Sequence, residues 1–306
     1  MSTFSITEQQ KHDYQTKGYI KLENAVPAEL LKRWQEKAKL LEEKAMQAHN
    51  SSEHLHGACV VQDPVGPRLM RYDDLHIVET ALSIELLSCP SMMAIARELC
   101  GRGAVPLQMD LLYKQQHPHP VIKWHQGAQH PRNFPYLNIG VYLDDAPKGD
   151  GCLRYVAGTQ NKLLDIEKVS ADHGWDVPGV IELPAKAGDI LIQDMMILHG
   201  SQPKRSLGVR RTIYIEYRPF DGIYESGAQS EEWADLRKQW MAQVIEHADQ
   251  QEWPEEWRQD YPTAVSNLDS LMQVLHEKRE PPIPAVWGIN QVELEDYPVP
   301  ADMKDW

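Results

Sequence analysis

Two histidines and an arginine stand in Trp124-His125-Gln126-Gly127, in Leu198-His199-Gly200-Ser201 and in Val209-Arg210-Arg211. Residues of these types, so placed, suggest a non-haem iron centre. Fe(II) oxidation chemistry needs few protein ligands, because two histidines and one carboxylate on one side leave the other side open to a cosubstrate and O2. The carboxylate is expected two residues after the first histidine, where strand alternation turns both side chains into one cavity. That position is Gly127, and residues 126–143 contain no Asp or Glu that a change of register would supply. The amides of Gln126 and Gln129 are weak iron ligands and leave its charge uncompensated. Arg210 follows His199 by eleven residues and is placed to clamp a carboxylate bidentately. Alternation sends one of Arg210 and Arg211 inward and the other outward. A single histidine among the thirteen in the chain carries little weight, and His117, His119 and His130 carry less than His125; the joint pattern is what points to a metal.

Positioning such a set requires a β framework, and the sequence changes texture where one is needed. From Val105 to Pro219, short runs at Leu107–Leu112, Leu137–Leu143, Gly151–Val156, Val180–Leu183, Asp189–Gln193 and Thr212–Tyr217 are separated by turn residues, including Gly149-Asp150-Gly151 and Gly188-Asp189. This spacing fits an all-β barrel or sandwich. Before it, Glu8–Gly18 reads as a short helix, Tyr19–Leu22 as a strand, and Leu30, Leu31, Trp34, Ala38 and Leu41 as one face of an amphipathic helix. His54–Tyr72 reads as a loop or irregular strands and is a candidate lid, and Ile84–Cys100 is helical in pattern. After Pro219, Glu231–Ala248 and Thr263–Lys278 are helical, and Pro281–Trp306 is expected to run over the surface. Trp233, Trp240, Trp253 and Trp257 are expected to pack as core, with an oligomer interface as the alternative. The pair Lys204-Arg205 is expected to be solvated.

At 306 residues, 42% hydrophobic and 25% charged, the chain has the composition of a soluble globular protein able to bury a sizeable core. A formal net charge of −14 argues against nucleic acid or an anionic membrane surface as partner. Met1–Lys11 is polar, and no run approaches the roughly 20 apolar residues that span a bilayer, so a cytoplasmic location is the default expectation. The four cysteines, Cys59, Cys89, Cys100 and Cys152, lack CxxC spacing and are expected to be reduced.

The chain resembles the phytanoyl-CoA dioxygenase (phytanoyl-CoA hydroxylase-like) family of Fe(II)/2-oxoglutarate oxygenases over roughly residues 5 to 220. The resemblance is carried by Gln9–Leu22 with Gly18-Tyr19-Ile20, Lys123-Trp124-His125-Gln126, Val141–Ala146 followed by Gly151-Cys152-Leu153, Val156–Gln160, and His199-Gly200-Ser201 with Arg210. It implies a mainly β fold with flanking helices, a double-stranded β-helix (jelly roll, cupin-like). One domain over 1–306 follows, with a helical part at about 1–104, the jelly-roll core at about 105–220 and helical decoration at about 221–306. It implies Fe(II), 2-oxoglutarate and O2, with His125 and His199 on iron and Arg210 on the distal carboxylate of 2-oxoglutarate. Gln108, Tyr113 and Lys114 are further candidates for the cosubstrate.

Family hydroxylases carry Asp where this chain has Gly127, and three readings follow. In the first, a halide takes the freed position, as in the 2-oxoglutarate-dependent halogenases, which also have Gly or Ala there; chloride restores the lost negative charge and is transferred to a carbon radical. In the second, the chain is a hydroxylase of an unactivated C–H whose site is altered or inactivated. In the third, it is a non-catalytic binding or partner subunit. In the bland alternative, the glycine marks only a bulge or a close backbone approach. The substrate is expected to be a small molecule, and a homo-oligomer is open.

Overall fold

The computed structural model describes residues 4–288 and 294–306; the first three residues of the polar N-terminus and residues 289–293 of the C-terminal segment lie outside the described residues. Helix α1 (Glu8–Lys17) starts at a capping box, in which Thr7 Oγ1 accepts from the Gln10 N–H, and ends at Gly18 with φ of 85°. Strand β1 (Tyr19–Leu22) follows, then α2 (Ala28–Asn50), which buries Leu30, Trp34, Ala38, Leu41 and Ala45 on one face.

The segment read as a loop or irregular strands forms a hairpin of β2 (Ala58–Asp63) and β3 (Gly66–Tyr72), with a register shift between Cys59 and Val60, joined laterally to β4 (Ala104–Gln115) through Arg71 opposite Leu112. It extends a sheet edge, which corrects the lid expectation. Between them lie α3 (Leu75–Val78), α4 (Thr80–Leu87) and α5 (Pro90–Ile95), the last continued by a π-helical turn over Ala96–Cys100.

The β core continues with β5 (Ile122–Ala128), β6 (Leu137–Tyr142), β7 (Leu153–Val156), α6 (Ile166–His173), β8 (Val180–Leu183), β9 (Ile190–Asp194), β10 (Leu198–Ser201) and β11 (Val209–Pro219). Then come α7 (Phe220–Ser226), α8 (Glu231–His247), α9 (Glu255–Arg258), α10 (Leu268–Glu277) and β12 (Ala285–Trp287). Two antiparallel sheets result, of order β1-β9-β6-β11-β4-β3-β2 and β12-β5-β10-β7-β8. Strands β4 to β11 alternate between the two sheets except at β7 and β8, which pair with each other in the second, and this is the connectivity of a jelly roll, a double-stranded β-helix.

The main apolar core lies outside the barrel, where α2, α4, α5 and α8 pack on the outward residues Leu107, Met109, Leu111 and Tyr113 of β4. Trp233, Trp240 and Trp253 are buried there, so they serve as packing. The C-terminal segment runs largely exposed in its described part, as expected, but is anchored at two points: Trp287 pairs with His125 across β12 and β5, and Tyr297 is buried against Trp124 and Trp175. Lys204 is also buried, its ammonium bonded to the carbonyl of Ser206 at 2.8 Å, against the solvated reading, whereas Arg205 stays partly exposed and makes a surface ion pair with Asp302. Among the described residues no helix is long and apolar enough to cross a membrane.

Candidate metal and cosubstrate site

His125 on β5 and His199 on β10 sit directly opposite each other in register, and their ring centroids are 4.0 Å apart. Each ring is held by the backbone two residues before it: His125 Nδ1 lies 3.0 Å from the Lys123 carbonyl and His199 Nδ1 2.9 Å from that of Ile197. A carbonyl only accepts, so Nδ1 of each ring carries the proton and Nε2 keeps its lone pair. This is the tautomer a metal requires, fixed by the kind of outer hydrogen bond that orients metal-binding imidazoles. Burial keeps both rings neutral: it lowers the His199 pKa to about 4, and His125 is pushed well down by enclosure and by its neighbour His199.

Two residues complete this end of the barrel without any motif in the sequence to mark them. Gln193, the inward-facing end of β9, accepts from the Tyr155 hydroxyl at 2.6 Å and turns its amide nitrogen to His199 Nε2 at 3.1 Å. A polar residue directly after the apolar run Ile190–Ile192, on the inward parity of Leu191, is its one sequence signal. Trp287 stacks on the His125 ring, with centroids 4.1 Å apart and planes 10° from parallel. No local pattern marks it, because β12 meets β5 only in the folded chain.

Across the barrel, β11 turns Arg210 inward and Arg211 outward. Arg211 pairs with Asp144 at 2.7 Å, whereas Arg210 is 1% exposed and donates Nη1 to the Gly151 carbonyl. Nε of Arg210 has no partner. Lys114 stands directly opposite Arg210 in register, with its ammonium 2.6 Å from Ser201 Oγ. Burial and then the Arg210 guanidinium drive the Lys114 pKa well down. A buried arginine and a buried lysine side by side, with no carboxylate bonded to either among the described residues, suit an anionic ligand whose arrival would restore the lysine's charge. A cavity of about 160 Å³ joins His125, His199, Arg210, Tyr214, Asn138 and Ser201.

Two cosubstrate candidates lie elsewhere. Tyr113 faces outward and donates its hydroxyl to the Ala38 carbonyl of α2 at 2.7 Å. Gln108 faces inward but binds Glu216 at 2.9 Å in a separate cavity. Both belong to the strand that carries Lys114; parity removes Tyr113, and distance along the strand removes Gln108. His130 is committed to the Asp194 and Arg132 cluster, and His117 and His119 lie outside the cavity.

At Gly127 the backbone closes in. Its N–H donates to the Met195 carbonyl at 2.6 Å, and a Cβ there would meet the same oxygen at 2.3 Å. The glycine is thus a close-approach position, and the space where a third ligand's side chain would begin is filled by main chain. A different grouping of two histidines and an aspartate, His56, Asp74 and His276, lies outside this cavity. There Arg279 occupies the same Asp74 oxygen at 2.9 Å, which makes the group an ion-pair network.

The sequence profile of the phytanoyl-CoA dioxygenase family matches residues 14–212. The chain belongs to that family. One curated relative, the probable alpha-ketoglutarate-dependent hypophosphite dioxygenase of Stutzerimonas stutzeri, is 24% identical over 229 residues, covering 70% of this chain and 79% of the relative. Among solved structures, AviO1 from Streptomyces viridochromogenes superposes with a TM-score of 0.58 at 23% identity, over 71% of this chain and 96% of that one. EctD from S. alaskensis with bound Fe gives 0.57 at 18%, over 72% and 80%. HygX from Streptomyces hygroscopicus with nickel and 2-oxoglutarate bound gives 0.55 at 17%, over 70% and 88%. At these identities the structural likeness is one of fold. The family match extends from α1 through the start of β11 and leaves the C-terminal helices, with Trp287, outside it.

Proposed function

We propose that this phytanoyl-CoA dioxygenase family member is an Fe(II)- and 2-oxoglutarate-dependent oxygenase that attacks an unactivated C–H of a small molecule. His125 and His199 would hold the iron, and Arg210, with Lys114 beside it, would hold the distal carboxylate of 2-oxoglutarate. The observation that carries this reading is the pair of imidazoles fixed by Nδ1–H bonds, facing one cavity with a buried, incompletely bonded arginine. When bound, the iron would couple O2 and the oxidative decarboxylation of 2-oxoglutarate to oxidation of the substrate. The chain's own residues orient the ligands and exclude water: the Lys123 and Ile197 carbonyls fix the two imidazoles, Trp287 covers one face of His125, and Arg210 faces the Tyr142 ring at 5.9 Å from its centroid.

Gly127 also favours a second reading, chlorination, in which a halide supplies the charge that no carboxylate provides. The Met195 carbonyl pressed against Gly127 weighs against it, because an oxygen dipole directed at that position repels an anion and the lined cavity stops short of it. Oxygenation with an altered ligand set is therefore the reading the geometry supports better.

An anaerobic titration of the apo protein with Fe(II) and 2-oxoglutarate, following the metal-to-ligand charge-transfer band with and without chloride, tests both. A band indifferent to chloride is expected. One that shifts or strengthens with chloride moves the assignment to halogenation, and no band in either condition removes the oxygenase reading and leaves a non-catalytic binding protein.

A further inference from the structure

The inward residues of β4 and β11 continue past the histidine cavity. Beyond Leu112 and Tyr214, which line it, the next inward positions are Asp110 and Gln108 on β4 and Glu216 and Arg218 on β11. They form one wall of a separate cavity of about 190 Å³, closed by Arg237 and Trp233 of α8 and by the chain after α10. Its chemistry is unbalanced at two points. Arg218 and Arg237 are 3% and 4% exposed, and among the described residues Nε and Nη1 of both have no hydrogen-bond partner. Arg218 is bonded to Glu216 through Nη2 alone, at 2.8 Å. Arg237 makes no ion pair among the described residues; its guanidinium lies over the Trp233 ring at 3.9 Å, and Nη2 reaches the Leu107 carbonyl at 3.4 Å.

Of the acids lining the cavity, Glu216 already pairs with Nη2 of Arg218 and accepts from Gln108, Asp73 pairs with Arg71, Asp74 serves His56 and Arg279, Glu280 accepts from the Ser230 N–H, and Asp110 accepts the Asp74 N–H, so among the described residues Arg237 is the guanidinium left without an anion. A guanidinium taken out of water without an anion is costly, and such groups are kept where an anion arrives to complete them. Burial lowers the Arg237 pKa to about 9, which reports the same incompleteness.

We infer that this cavity binds the anionic group, carboxylate or oxyanion, of a small molecule on Arg218 and Arg237. Resting on the proposed function, the ligand is the substrate: its anion is anchored among the C-terminal helices while its carbon skeleton extends along the inward face of β4 and β11 toward His125 and His199. A small acid is thereby the substrate class.

The test uses the full chain without iron, so its result is independent of turnover. Because Arg210 also attracts carboxylates, calorimetric titrations with succinate and with inorganic phosphate are run on Arg210→Met protein, with equal ionic strength of sodium chloride as control. A saturable site is expected, weakened at least tenfold by adding Arg237→Met or Arg218→Met. With no ligand present, Arg237→Met is expected to keep or raise the unfolding midpoint, since it removes an uncompensated charge; a purely structural arginine would lower it. Binding of neither probe, or binding unchanged by both substitutions, overturns the inference. If one variant does not fold, the other decides. Saturable binding here without a charge-transfer band would defeat the oxygenase reading alone, and a band without this site would defeat the anion anchor alone.

Discussion

The carbonyl oxygen of Met195 lies where the side chain of residue 127 would begin: it accepts the Gly127 N–H at 2.6 Å and would stand 2.3 Å from a Cβ there. The missing carboxylate and the path of the β9–β10 connection are therefore one feature. An aspartate would require the main chain around Met195 to withdraw.

Gly127→Asp is accordingly expected to destabilise the fold and not simply to restore an iron ligand. Overpacking against backbone costs about 1–3 kcal/mol, and Gly127→Ala should carry most of that cost because the first added atom makes the clash. Urea unfolding of both variants checks this. If Gly127→Asp matched the parent in stability and bound Fe(II) more tightly, the main chain would have to be free to move, and the glycine would be a substituted ligand only.

Replacing His199 with alanine removes one of two imidazole ligands, and replacing Gln193 with leucine removes the amide that faces it at 3.1 Å. Fe(II) affinity, read by the charge-transfer band at varied metal, should be abolished by the first and rise with the second, because the amide N–H points at the Nε2 lone pair that iron would take and competes for it. A Gln193→Leu variant with unchanged affinity would show that the amide only fills space.

Arg210→Lys keeps the charge and loses the fork. Weakening of 2-oxoglutarate binding by about 1.5–3 kcal/mol is expected, the range for hydrogen bonds to charged groups. Tyr113→Phe should leave that affinity unchanged, because its hydroxyl is spent on the Ala38 carbonyl of α2. The two variants titrated side by side test the assignment of strand faces.

Asp110 provides a pH dependence. Burial, and then the charge of Asp73, raise its pKa from 3.8 to about 7. The folded chain therefore keeps a proton that the unfolded chain loses near 3.8. The contribution is fully present below the unfolded value and is lost as pH rises through about 7. Asp110→Asn should match the parent's unfolding midpoint at acidic pH and exceed it by roughly 3 °C at pH 8. Equal midpoints at both pH values would place the ionised carboxylate at no disadvantage in the fold.

Alternation and turn spacing are local, so the chain alone leads to an all-β barrel or sandwich and to the joint pattern of His125, His199 and an arginine. The jelly roll, and the choice of Arg210 over Arg211 as the inward residue, rest on the family resemblance, because parity says only that the two point opposite ways. Counting did not suffice for Gln108 and Tyr113. Tyr113 has the outward parity of its strand, and Gln108, although inward, lies two pleats along the strand from Leu112, at the mouth of a different cavity.

What fills the space beside Gly127 is set by packing, since Met195 is 68 residues away in sequence and meets it by the course of a connection. Trp287 on His125 and the enclosure of Arg218 and Arg237 by α8 and the chain after α10 have the same origin. These contacts join elements far apart in the chain, and their register and burial are set when the sheets and helices pack, where no local period reaches.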